Sequence, residues 1–76
     1  MDTLTGFVDH ITFRNEDNGY TVLYMEPDTG EDVNEDALDA SGLVAVVGTF
    51  FDIAAGEHIR FSGEYADHSS YGLQFK

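Results

Sequence analysis

Five short apolar segments run through this chain, each ended by glycine or by a cluster of polar residues. That punctuation leaves little besides a small sheet for the chain to fold into. The segments are residues 6–13 (GFVDHITF), 20–25 (YTVLYM), 43–51 (LVAVVGTFF), 57–65 (EHIRFSGEY) and 71–76 (YGLQFK). The fourth has the cleanest alternation, with Ile59, Phe61 and Tyr65 on one face and His58, Arg60, Ser62 and Glu64 on the other. In the first, strict alternation would bury Asp9 beside Phe7 and Ile11. A bulge near Asp9 and His10 instead puts Val8, Ile11 and Phe13 on one face. The second is apolar on both faces, as expected of a strand covered on both sides. Gly48 and Gly63, inside strands, mark bulges or sharp bends.

Short strands, little helix and glycine kinks predict an all-β fold. The first choice is a small five-stranded OB-like barrel, and the alternative is an SH3-like barrel. Closure would remove the unpaired edges through which small sheets aggregate. The chain is 76 residues long, room for one domain, and has no cysteine to staple it.

Two connections stand out. Asn15-Glu16-Asp17-Asn18-Gly19 joins the first two segments, and Asn18-Gly19 can supply two positive-φ residues to a tight turn. Residues 26–42 (EPDTGEDVNEDALDASG) hold the only proline and no basic residue. They read as a long acidic surface loop, with a helical turn around residues 34–39. Within it Asp32, Asn34 and Asp36 fit the first three ligand positions of an EF-hand loop. Ala37 replaces the required glycine and Leu43 the closing glutamate, so that motif fails and only weak, non-specific Ca²⁺ association is left.

Fifteen acidic residues face only Arg14, Arg60 and Lys76, a net charge of −12. Such a surface keeps a domain soluble and repels polyanions. The three histidines, His10, His58 and His68, have no metal-motif spacing and read as surface or hydrogen-bonded side chains. There is no G-x-S-x-G and no G-x-x-x-x-G-K-[ST]. No catalytic, cofactor or metal residue is therefore expected in this chain. Met1-Asp2 opens no signal peptide, and no apolar run reaches the roughly 18 residues of a membrane span. The cytoplasm is the expected location, with no membrane partner. The chain stops in an apparent strand, which reads as a fragment of something longer.

The aromatics leave one binding chemistry open. Tyr20, Tyr24, Tyr65 and Tyr71 are able to stack on bases, although core or rim packing in a barrel wall is the better account of each. With the available cations, the candidate nucleic-acid contacts are Arg14, Arg60, Tyr65 and Tyr71.

The stretches LTGFVDHITFRNEDNGYTVL, VAVVGTF, GEHIRFSGEY and HSSYGLQF together resemble the N-terminal region of stand-alone RecD-like DNA helicases of superfamily 1, the exodeoxyribonuclease V alpha-subunit-like proteins. The likeness spans nearly the whole chain. Its specific parts are Phe13, Asn15, Asn18, Gly19 and Tyr20 in the first motif and Tyr71, Gly72, Gln74 and Phe75 in the last. The resemblance implies a single OB-like N-terminal domain over residues 1–76, ahead of helicase motor domains. It implies a parent with ATP-driven 5′-to-3′ DNA unwinding in recombination and repair, whose ATP and Mg²⁺ sites lie in those later domains. Here the domain would be an accessory module that docks on the motor or a partner, with single-stranded DNA as a further contact. An acidic protein-interaction module unrelated to helicases is the alternative.

Overall fold

The computed structural model describes residues 2–68 and 72–76. They form six strands: β1 (Asp2–Arg14), β2 (Tyr20–Pro27), β3 (Val44–Thr49), β4 (His58–Gly63), β5 (Tyr65–His68) and β6 (Gly72–Phe75). One short 3₁₀ turn, η1 (Glu35–Ala37), is the only helical element among the described residues. The strands make one sheet in the order β4-β1-β2-β3-β6-β5. All neighbours are antiparallel except β3 and β6, which pair in parallel at Val46 and Phe75.

The two edge strands of that order, β4 and β5, are consecutive in the chain and separated only by Glu64. One bent segment therefore carries both edges, and the sheet curls on itself as an OB-like fold requires. At the bend, Glu64 and Lys76 exchange both backbone hydrogen bonds, at 2.9 and 2.8 Å. A Cβ on Gly63 would lie 1.8 Å from the Lys76 carbonyl oxygen, so only glycine admits this approach. The bend makes six strands of the expected five. The sharp turn expected at Gly63 is present. Gly48 is different: the β2–β3 register runs through it without a shift, and the Phe50 ring occupies the space its side chain would take.

β1 is the longest strand because its first half pairs with β4 and its second with β2. Two register shifts against β2 bend it, one between Val8 and His10 and one between Ile11 and Phe13. The first is the expected bulge. The second corrects the expected face. Ile11 pairs with buried Leu23 and stays inward, but Phe13 is turned outward and is half exposed, and Arg14 turns inward. The inward set is Leu4, Val8 and Ile11 from β1, Leu23 and Met25 from β2, Val44 and Val46 from β3, Phe61 from β4 and Phe75 from β6. Ala37 of η1 and Ile53 of the β3–β4 connection join the same core. On β2, Thr21, Leu23 and Met25 are buried while Tyr20, Val22 and Tyr24 keep partial exposure, so its two faces are not equally covered.

The β1–β2 turn gains its shape from side chains. Asn15 Oδ1 accepts from the Asp17 amide and Asn18 Oδ1 from the Tyr20 amide, each at 2.9 Å. Only Gly19 takes a positive φ, +76°. Asn18 does not, because its side chain closes an Asx turn instead of the backbone entering the left-handed region.

The acidic segment is pinned to the barrel. Asp28 N donates to Thr5 O at 3.0 Å, Thr5 N to Glu31 Oε1 at 2.9 Å, and Asn34 N to the Tyr65 hydroxyl at 3.3 Å. The expected helical turn is η1, capped by Asn34 Oδ1 accepting from Asp36 N at 3.0 Å. The expected loop start moves, because Glu26 and Pro27 still belong to β2. Asp67 and His68 end β5, while Ser69 and Ser70 lie outside the described residues.

Candidate nucleic-acid interface

The outer face of β1, β2 and β3 carries a groove of about 540 Å³. Thr12 and Phe13 supply one side, Tyr20, Val22 and Tyr24 the floor, and Val47 and Gln74 the other side. The second bulge of β1 creates it. Without the extra residue between Ile11 and Phe13, the alternation set by Ile11 would send Phe13 into the barrel. With it, the Phe13 and Tyr20 rings meet tilted, 6.1 Å apart. Farther along, His10 stacks on Tyr24 at 5.1 Å with 15° between the planes, so one face of that ring is already covered. His10 is itself held by Asp9, Nδ1 to Oδ2 at 2.7 Å.

Gln74 is the polar group of the groove. Its residue is 5% exposed overall, and neither polar atom of its side chain is buried without a partner among the described residues. A primary amide carries two donors and an acceptor with two lone pairs, so it can pair with a ligand in the groove.

The residues singled out from the sequence separate in space. Arg14 is part-buried, and its guanidinium donates to the Ile53 carbonyl; its Nε is buried without a partner among the described residues. Arg60 is exposed on β4, opposite Thr5, and lines a different, shallower hollow with Phe51, Ile53 and Glu57. Tyr65 packs edge-on against Phe75 at 5.1 Å, and its hydroxyl accepts from Asn34 N. Tyr71 lies outside the described residues. Arg14, Arg60 and Tyr65 therefore do not line the groove. The first-motif and last-motif residues sort instead by task. Phe13, Tyr20 and Gln74 line the groove; Asn15, Asn18 and Gly19 shape the turn beside it; Phe75 is core; Gly72 pairs with His68.

Tyr20 and Tyr24, named from the sequence as rings able to stack, both line the groove. Thr12, Val22 and Val47 carried no such signal and Gln74 was named only through the family resemblance, because their place in the groove depends on the register of β1 and on the parallel β3–β6 pairing. None of the groove-lining residues is lysine or arginine. Asp36 and Asp39 line a second hollow that shares Tyr24 with the groove. Both ion pairs among the described residues use histidine, His10–Asp9 and His58–Asp28. Among the described residues no group of three or more His, Asp or Glu is placed to hold a metal ion, and no helix is long and apolar enough to cross a membrane.

The family model of the OB-fold domain of ATP-dependent DNA helicase YrrC matches residues 1–76 of this chain. No curated protein and no solved structure matches it. The chain belongs to that OB-fold domain family.

Proposed function

We propose that this OB-fold domain is the accessory N-terminal module of a RecD-like, 5′-to-3′ DNA helicase of recombination and repair, acting in the cytoplasm, and that its task is to dock on the motor domains or on a partner protein. The observation that carries the docking reading is the outer groove, an aromatic surface with no cation in it on a chain of net charge −12. Surfaces that track a nucleic-acid backbone combine stacking rings with positive charge, and this one has only the rings. ATP and Mg²⁺ belong to the motor domains in this reading. The chain has no G-x-x-x-x-G-K-[ST], and its positive-φ glycines lead into strands or coil rather than into a helix N-terminus that would cradle a phosphate.

The test mixes the 76-residue chain with motor domains that lack it. A complex should form, and unwinding of a 5′-tailed duplex should recover. Unwinding that is indifferent to the domain, with no complex, would reject docking on the motor. A parent gene without a downstream phosphate-binding loop would reject the helicase assignment itself.

A second reading is supported by the exposed aromatic side chains: direct contact with single-stranded DNA, with Arg60 as an exposed cation and Arg14, Tyr65 and Tyr71 as the other contacts. Fluorescence anisotropy of a labelled oligonucleotide at low and moderate salt decides it. A few phosphate contacts give a clear salt slope, and Arg60→Ala should lower that slope by about one. No binding at low salt would remove this reading.

A further inference from the structure

We propose that the outer groove seats an extended polypeptide segment bearing lysine or arginine, contributed by the protein on which the domain docks. This rests on the docking reading above and names the chemistry of the docked surface.

Three independent features select that occupant. The first is ring chemistry. Phe13, Tyr20 and Tyr24 line the groove, Tyr24 with one face covered by His10, and aromatic π-faces attract ammonium and guanidinium groups. The second is charge. Past Tyr24 the groove gives way to a hollow of about 160 Å³ lined by Asp36 and Asp39, neither of which is in an ion pair among the described residues. Glu16 and Asp17 sit in the turn between Phe13 and Tyr20, at the opposite end. A phosphate backbone meets repulsion at both ends, whereas a cationic segment meets attraction. The third is Gln74. Its side-chain amide lines the groove and offers a donor and an acceptor that match the C=O and N–H of one peptide unit. The groove lies on the face of β1, β2 and β3, away from the edge strands β4 and β5, so recognition there is by side chains and not by strand addition.

The experiment is a two-dimensional ¹⁵N NMR titration of the wild-type chain with three probes. One is a short peptide alternating lysine with leucine and phenylalanine. The second is its glutamate-for-lysine twin, and the third is an oligo(dT). The lysine peptide should shift the amides of Thr12, Phe13, Tyr20, Val22, Tyr24 and Val47 and the side-chain NH₂ of Gln74, and the glutamate twin should not. Tyr24→Ala should weaken the lysine peptide by about tenfold. Asp36→Asn should weaken it more than Glu57→Gln, which removes the same charge outside the groove. Shifts scattered over the acidic surface, or equal effects of the two acid variants, would overturn the proposal in favour of attraction by net charge alone. Groove shifts caused by oligo(dT) in place of the peptide would overturn it in favour of a nucleic-acid face. If the lysine peptide fails while the domain still complexes with its motor domains, this inference falls and the docking reading stands. If the peptide fills the groove but the motor domains do not bind, docking on the motor falls and the groove's specificity stands.

Discussion

At the scale of single residues, two positions separate what the fold requires from what a site would use. Gly63 sits where the sheet bends to close. An added methyl group would meet the Lys76 carbonyl oxygen at 1.8 Å and disturb the paired hydrogen bonds between Glu64 and Lys76. Backbone is on the other side of that contact, so no side chain can rotate away. Gly63→Ala should cost about 3 kcal/mol, a large share of the stability of so small a domain, measured by urea unfolding. An unchanged midpoint would mean the closure seen at Glu64 is not a stabilising contact. The arginines make the second contrast. Arg14 is part-buried and holds the Ile53 carbonyl, so Arg14→Ala should destabilise by roughly 1–2 kcal/mol. Arg60 is exposed with no acceptor among the described residues, so Arg60→Ala should stay within about 0.5 kcal/mol. Equal effects in the same unfolding experiment would show that Arg14 does not hold the β3–β4 connection.

At the scale of elements, the acidic segment shows how a stretch that looks like unstructured charge is organised by a few side chains. Asn34 caps η1 through the Asp36 amide, and Asp39 Oδ1 accepts from the Ser41 and Leu43 amides at 2.8 and 3.0 Å. The Asp36 carboxylate has no such task among the described residues. Asn34→Ala should therefore lower stability by about 1 kcal/mol, while Asp36→Ala should leave it within about 0.5 kcal/mol. If thermal melts show the reverse, Asp36 belongs to the scaffold and not to a recognition surface. The same segment shows what was readable beforehand. A helical turn at residues 34–39 and a bulge at Asp9 follow from local chemistry, and both are present. The second bulge has no local signature: Thr12 and Phe13 suit a regular strand as well as a bulged one. It arises from the demand that β1 curl between β2 and β4, a demand made by the whole sheet. Because that bulge turns Phe13 out and Arg14 in, the groove was hidden for the same reason. Gln74 was named through the family resemblance, but its place in the groove with Phe13 depends on β6 lying beside β3, two elements far apart in the chain.

At the scale of the whole molecule, charge is the quantity that governs behaviour. Fifteen acidic residues and three basic ones share a body of 33 × 28 × 25 Å. At an ionic strength of about 0.01 M the screening length is ~30 Å, so every carboxylate feels nearly every other one. At about 0.15 M it is ~8 Å, and only near neighbours interact. Unfolding lets the carboxylates move apart, so their repulsion opposes the native state and should weaken as salt is added. For a domain of this size, recovering even about 1 kcal/mol moves the melting temperature by about 4–8 °C. The midpoint should accordingly rise by several degrees between these two salt concentrations, followed by circular dichroism at fixed pH. The histidine–aspartate contacts, ionic only when the imidazole carries a proton, then work against the trend, because salt weakens attraction as well as repulsion. There are only two among the described residues, both solvent-accessible and each worth at most about 1 kcal/mol. A midpoint that falls with salt would mean these few attractions outweigh the excess of negative charge. In that case the acidic surface would be a stabilised feature of the isolated domain and not one left uncompensated until a cationic partner arrives.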